Sequence, residues 1–253
     1  MQPLATTALV TGANRGIGLA YCRVLLESGV QRLYACARDP ESLDELSAGH
    51  PDVVVPLPLD LTDAAQVDAV IARCPEVDLV VSNAGREGVG EALTLEEDQI
   101  RDLFEVHVFG PIRLIRGLAS SMADGSRIMM VHSTAAMTPS RSSPYYSASK
   151  AASMMVALGL HEVLRARGIS VTSVYPGFTN TDIIAGYDIA KADPLDVARV
   201  SLEAARDRRT NVYPDLYSEL VHQAMRDRYD EMMDEPARTG GAVIATYREM
   251  TKG

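Results

Sequence analysis

The stretch Ala8-Leu9-Val10-Thr11-Gly12-Ala13-Asn14-Arg15-Gly16-Ile17-Gly18-Leu19 decides the fold. It joins a short apolar run to a turn with three glycines, and the turn opens a segment, Gly16–Ser28, long enough for a helix. Strand, glycine turn and helix in that order form the setting in which a turn can hold a pyrophosphate. Residues without a Cβ let the backbone come close, and the helix behind them offers unpaired N–H groups and the positive end of its dipole. A glycine turn also serves any tight strand–helix connection, so the rest of the chain has to decide.

Working outward, β-rich runs recur at Arg32–Ala37, Val53–Leu57, Val77–Ser82, Arg127–His132 and Ile169–Tyr175. Most are continuously apolar rather than alternating, which suits strands covered on both faces. Between them lie helix-like segments: Pro40–Ala48, Ala64–Arg73, Glu96–Met122 and Pro144–Arg167. This rhythm predicts an α/β chain, a single doubly wound Rossmann-like domain over 1–253 with a parallel sheet of about seven strands and helices on both faces. Toward the C-terminus, Asp193-Pro194 reads as a helix start, with Asp193 as N-cap and Pro194 at the first helical position. Asn211–Pro214 is a candidate last strand. Leu216–Asp234 reads as one polar helix with a solvated charged face, and Glu235–Gly253 has weak signals. The stretch from about 215 to 253 is a C-terminal helical extension.

The 253 residues are 47% hydrophobic and 23% charged, which excludes a disordered chain. The net charge of −10, without a Lys/Arg run, argues against nucleic-acid and anionic-membrane partners. Cys22, Cys36 and Cys74 are far apart and form no CxxC pair, so neither a zinc site nor a disulfide framework is implied. No apolar stretch is long enough to span a membrane and no leader pattern is visible, so a cytoplasmic protein is expected.

Residues with chemical potential gather at the predicted strand ends. Asp60-Leu61 follows the third strand, where a carboxylate can face an adenine amino group. Asn83-Ala84-Gly85 ends the fourth, at the carboxyl edge where open sheets bind ligands. Ser133 ends the fifth. Thirteen residues later comes Tyr146, with Lys150 four further on and so on the same helix face. An ammonium near a phenol stabilises phenolate and lowers its pKa from about 10, which makes the tyrosine a usable proton donor and acceptor. The adjacent Tyr145 has Ser149, not a cation, one turn along.

With these motifs and Pro176-Gly177-Phe178-Thr179-Asn180-Thr181, the chain resembles the short-chain dehydrogenase/reductase family in its compact form, from about Thr6 to about Tyr213. The glycine spacing is Gly-x3-Gly-x-Gly, not the Gly-x-Gly-x2-Gly of long-chain Rossmann dehydrogenases. The resemblance implies that Ser133 positions a carbonyl, that Tyr146 transfers the proton, and that Lys150 binds the nicotinamide ribose and lowers the tyrosine pKa. It places Gly12, Asn14, Arg15, Gly16, Ile17 and Gly18 at the dinucleotide, joined by Asp60, Leu61, Asn83, Ala84 and Gly85. Pro176, Gly177, Thr179 and Thr181 would line the nicotinamide side.

One position departs from the pattern. The family usually has Asn in an Asn-x2-Gly pattern after the fourth strand, within a water relay to the lysine, and here His107 takes its place before Gly110. Histidine could relay a proton and bring a pH dependence near 6.5, or be a residue tolerated at a helix bend. The second strand ends Cys36-Ala37-Arg38-Asp39, with Ala37 where NAD-preferring members carry an acid. Arg38 and Arg15 could clasp a 2′-phosphate, unless Asp39 ties Arg38 up, so NADP (NADPH) is expected and NAD is the lesser choice. No metal is called for.

The expected function is NADPH-dependent reduction of a ketone or aldehyde, or the reverse. A lid at about 178–193, carrying Phe178, Ile183, Ile184, Tyr187 and Ile189, together with Met137 and Pro139, implies a largely apolar small-molecule substrate. Arg86 and Arg141 lie near the mouth, as carboxylate contacts or as solvated surface. Leu103, Val106, Phe109 and Ile112, with Met154, Met155, Leu158 and Val163, form stripes that suit a homodimer or homotetramer. Two alternatives stand beside this: an epimerase or dehydratase, whose glycine spacing and larger C-terminal domain are not seen here, and a non-catalytic dinucleotide-binding regulator or scaffold, which would tend to lose the Tyr or the Lys.

Overall fold

A computed structural model describes residues 4–252. Seven parallel strands form one sheet in the order β3-β2-β1-β4-β5-β6-β7. They are β1 (Thr7–Thr11), β2 (Arg32–Ala37), β3 (Val54–Pro58), β4 (Leu79–Ser82), β5 (Arg127–Val131), β6 (Ser170–Val174) and β7 (Asn211–Val212). Every residue of β1, β4 and β6 is buried, as expected of strands covered on both faces. Pro56 and Pro58 are tolerated in β3 because it is an edge strand. The strand order reverses between β1 and β4, which makes their carboxyl ends the ligand crevice.

Side-chain alternation divides the core in two. Ala8 and Val10 face a layer built on α1 (Gly16–Glu27) and α7 (Pro194–Arg206), with α2 (Asp44–Gly49) at its edge. Leu9 faces the opposite layer of α3 (Ala64–Arg73), α5 (Gly110–Ala119) and α6 (Pro144–Arg165). Cys22, Cys36 and Cys74 are buried free thiols within these layers. Among the described residues, no helix is long and apolar enough to cross a membrane.

Three segments differ from the sequence expectation. The single helix over Glu96–Met122 is broken into α4 (Glu97–Phe104), a π-helical turn over Glu105–Phe109, and α5. Pro111 has no N–H for the carbonyl one turn back, and Gly110 lets that stretch approach the Leu61 backbone, where a Cβ would collide. The predicted helix Leu216–Asp234 divides at Arg228, which has φ −140°, into α8 (Leu216–Asp227) and α9 (Tyr229–Asp234). The weak segment after it forms a full helix, α10 (Pro236–Met250), whose Val243 joins Val221, Ala224 and Met232 in a small core of its own. Gly240-Gly241 hides this helix in the sequence, because glycine is a poor helix former. Asp193 caps α7 by accepting from the Leu195 N–H at 2.7 Å, with Pro194 at the first helical position as expected.

Candidate active site

The carboxyl ends of β1 and β4 are tied together. Thr11 Oγ1 accepts from the Asn83 and Ala84 N–H groups at 3.0 and 2.9 Å, and Asn83 Nδ2 donates to the Thr11 carbonyl at 3.1 Å. This fixes the floor under the glycine turn. Gly12 holds φ +66°, which disfavours other residues, and a Cβ on Gly18 would run into the Gly12 carbonyl. Ile17 packs against the core behind the turn, and Asn14 is half-buried on it. Arg15, the N-cap of α1, makes no side-chain cap, so the first N–H groups of a twelve-residue helix are left for an anion.

In the free chain the Arg15 guanidinium pairs with Asp182 at 2.8 Å, and the Thr181 methyl lies against Gly16. Both charges of that pair are more than half exposed, so it contributes at most about 1 kcal/mol. Asp39, weighed as a partner that would neutralise Arg38, instead caps the 3-10 turn Pro40–Leu43 by accepting from the Glu41 N–H at 3.1 Å. Arg38 is exposed at the end of β2. Asp60 accepts from the Thr62 N–H and hydroxyl through one oxygen, at 2.9 and 2.8 Å, and Leu61 is buried under the π turn.

Ser133, Tyr146 and Lys150 come together at the β5 end. Ser133 Oγ caps a 3-10 turn over Thr134–Ala136 and lowers the Tyr146 phenol pKa from beside it. Lys150 is buried, donates from Nζ to the Val131 carbonyl at 3.2 Å, and sits 5.8 Å from the Tyr146 ring centre. The expectation that the ammonium lowers the phenol is corrected here. Burial raises the Tyr146 pKa, and the Ser133 hydrogen bond offsets only part of that. Burial also brings Lys150 down to about 8. Desolvation penalises the charged form of each: it keeps the phenol protonated and loosens the proton on the ammonium, which at about 8 is still mostly charged at neutral pH. Tyr145 donates to the Ala92 carbonyl at 2.8 Å and anchors the loop after β4 rather than entering the site.

His107 occupies the π turn, edge-on to Tyr146 at 5.4 Å between ring centres. Its Nε2 accepts from the Arg86 N–H at 3.2 Å, which places the proton on Nδ1, 2.9 Å from Ser149 Oγ. Ser149 in turn donates to the Tyr146 carbonyl at 2.8 Å. Both ring nitrogens are thus committed to holding the loop and α6. Burial and the nearby Lys150 charge lower His107 to about 2, so the titration near 6.5 does not occur. Gly85 leaves the room this needs: a Cβ there would lie 3.2 Å from His107 Nε2 and 3.5 Å from Lys150 Nζ.

Buried His132 is also lowered, to about 3, again chiefly by burial. Below the ordinary value of about 6.5 the unfolded chain binds protons that the folded chain does not, so stability is full above that pH and falls beneath it. Each histidine is expected to remove about 2 kcal/mol at a pH of about 5. A Tm that drops from neutral pH toward pH ~5, with a shallower drop in His107→Gln, is the expected result. Equal drops in the two proteins would assign the effect elsewhere.

The segment Pro176–Thr181 leads from β6 into the lid. The Pro176 carbonyl accepts from the Thr134 N–H at 3.0 Å, and the loop after it is closed at its base by Thr179 and Asn180 against Ala192. Thr179 is buried with no partner for its hydroxyl. Phe178 packs on Tyr217 at 4.6 Å and lies 6.1 Å from Tyr187. From α10, Tyr247 donates to the Ala190 carbonyl at 3.0 Å. The Ile183 side chain lies outside the described residues. At the mouth, Arg86 pairs with Asp102 and Arg141 with Glu91, so both arginines are already engaged with acids.

A glycine turn with positive-φ glycines, open helix N–H groups and an orphaned buried hydroxyl on the facing segment together fit a dinucleotide. The sequence reading named Thr11 in the glycine motif and Ser149 beside Tyr145, but not the bond of Thr11 to Asn83, the link of Ser149 to His107 or the α8–α10 contacts.

Comparison with known proteins agrees with the fold. An uncharacterized oxidoreductase of Staphylococcus aureus is 30% identical over 207 residues, covering 78% of this chain and 89% of that one. A short chain dehydrogenase from Burkholderia cenocepacia, solved in complex with NADP, is 28% identical with a TM-score of 0.84, covering 92% and 97% of the two chains. A Burkholderia phymatum short chain dehydrogenase/reductase in complex with NAD shares the fold at a TM-score of 0.81 and 22% identity, covering 92% and 96%. The family model for short chain dehydrogenase matches residues 6–191, and the chain belongs to that family of oxidoreductases.

Proposed function

We propose that the protein is an NADPH-dependent reductase of a largely apolar ketone or aldehyde, able to run in reverse as an alcohol dehydrogenase. The observation that carries this reading is the convergence of Ser133, Tyr146 and Lys150 at the β5 end, beside the crevice of the glycine turn. NADPH, when bound, supplies the hydride for the carbonyl carbon. Ser133 and Tyr146 donate hydrogen bonds to the carbonyl oxygen, and these strengthen as negative charge develops there. Tyr146 then gives up its proton as general acid. Its raised pKa keeps it protonated, and so able to donate, in the free chain. Lys150 holds its charge beneath the phenol, restrained by the Val131 carbonyl, and would meet the nicotinamide ribose.

Ala37 and Arg38 support NADP over NAD, as does the Burkholderia cenocepacia neighbour that holds NADP. The weak Arg15–Asp182 pair leaves Arg15 able to turn to a phosphate at small cost. Titration is expected to give NADPH an affinity at least about tenfold above NADH, a gap of about 1.4 kcal/mol. Arg38→Asp should shrink or invert that ratio, and equal affinities in the unaltered protein would refute the assignment.

Phe178, Tyr187, Tyr217 and Met137 support an apolar substrate wall, and the engagement of Arg86 and Arg141 with acids speaks against a carboxylate at the mouth. For assembly, Leu103 is buried within the chain, while Phe109, Met155 and Val163 are each more than half exposed and Leu158 is partly so. These four support a homo-oligomer contact on the α4–α6 side. Light scattering should give a multiple of the chain mass, and a monomer at micromolar concentration would remove this part of the proposal.

A further inference from the structure

Asp215 stands between β7 and α8, thirty-eight residues beyond Gly177. Its Oδ1 accepts from the Ser218 N–H at 2.9 Å, and the Ser218 hydroxyl accepts from the Asp215 N–H at 3.1 Å, a reciprocal cap at the start of α8. A cap of this kind needs only one carboxylate oxygen. The other, Oδ2, accepts from the Gly177 N–H at 2.8 Å. That N–H belongs to the same peptide unit as the Pro176 carbonyl, which accepts from the Thr134 N–H at 3.0 Å. The Pro176–Gly177 peptide is therefore held at both ends, by the residue after Ser133 on one side and by Asp215 on the other.

The fit around it is tight. A Cβ on Gly177 would come within 2.6 Å of Asp215 Oδ1 and 2.8 Å of the Tyr217 ring. The next residue, Phe178, lies on that same ring at 4.6 Å. The first turn of α8 thus holds two consecutive residues of the loop. The carboxylate is largely desolvated, which raises its pKa, and its hydrogen bonds from Gly177, Ser218 and Tyr217 oppose that rise. An ionised acceptor also makes stronger hydrogen bonds to N–H groups than a neutral one.

From this we infer that Asp215 is a positioning residue: it fixes the Pro176–Gly177 peptide, and with it the segment that would face the nicotinamide, relative to Ser133. The inference rests on the cofactor reading above. Asp215 touches neither substrate nor reacting atoms. Its direct hold is on the Pro176–Gly177 peptide, and that segment meets the glycine turn only further along, through Thr181 against Gly16 and the exposed Arg15–Asp182 pair.

The test compares two probes by fluorescence or calorimetric titration: NADPH, and 2′-phospho-ADP-ribose, which has the same adenosine end and pyrophosphate but no nicotinamide. Asp215→Asn keeps the volume and one acceptor for the α8 cap, and turns an NH₂ toward the Gly177 N–H. It is expected to weaken NADPH about tenfold, the effect of losing one hydrogen bond and leaving a donor unpaired, while 2′-phospho-ADP-ribose stays within about twofold. Ser218→Ala removes one arm of the cap and leaves the Gly177 bond; it should lower Tm without altering the ratio of the two affinities. If Asp215→Asn does not fold, Asp215→Ser keeps a short acceptor for the helix start and takes its place. An unchanged affinity ratio in the Asp215 variant, or equal weakening of both probes, would overturn the inference. Failure of the cofactor reading would show separately, as absence of NADPH binding by the unaltered protein.

Discussion

Tyr146→Phe is expected to lower kcat by at least about 10²-fold and to leave NADPH affinity nearly unchanged, because a positioned general acid contributes about 10²–10⁴. The change keeps the ring, and with it the edge contact to His107, and removes only the hydroxyl beside Ser133. Tyr145→Phe is the paired control. Tyr145 donates to the Ala92 carbonyl, so its loss loosens the loop after β4 and should act mainly on KM. Steady-state kinetics of both variants on one accepted substrate separates the two tyrosines. Near-normal turnover by Tyr146→Phe with a large loss in Tyr145→Phe would reverse their assignment.

Lys150→Met should impair kcat and cofactor affinity together, and yet raise the stability of the cofactor-free chain. Lys150 has a folded value of about 8 against an ordinary 10.5. Between those values the folded chain binds fewer protons, so the buried charge is a penalty at neutral pH, relieved as pH rises from about 8 toward 10.5. The shift corresponds to roughly 3 kcal/mol at neutral pH. Against it stands the hydrogen bond to the Val131 carbonyl, worth about 1 kcal/mol. The balance predicts a Tm several degrees higher in the variant at neutral pH, with the advantage shrinking in alkaline buffer. Calorimetry at two pH values checks it. A variant less stable at neutral pH would mean that the ammonium is solvated in the free chain.

Much of this architecture was legible in the sequence because it rests on local patterns. A glycine turn between an apolar run and a helix, continuous apolar strands, and Tyr146 one helical turn from Lys150 are all short-range signals. What stayed hidden depends on burial or on contacts distant along the chain. The π turn had one local sign, Pro111, which the apolar periodicity from Glu96 to Met122 outweighed. The neutrality of His107 follows from its enclosure by Arg86, Ser149 and Tyr146, and no spacing rule encodes that. The turning of Arg15 toward Asp182 joins residues 167 positions apart. Asp215 caps α8 with one oxygen, and its second finds Gly177, 38 residues back, through the fold. The helix α10, obscured by two glycines, reaches the lid through Tyr247.

The proposed reduction of an apolar carbonyl compound by Ser133, Tyr146 and Lys150 is tested by NADPH consumption by the purified chain against a panel of aromatic and aliphatic ketones and aldehydes, with Tyr146→Phe run beside it. The unaltered protein is expected to turn over at least one neutral, apolar carbonyl, more slowly with NADH, and the variant to be at least about 10²-fold slower. Firm NADPH binding with no turnover of any member of the panel, or turnover that survives Tyr146→Phe, would contradict it.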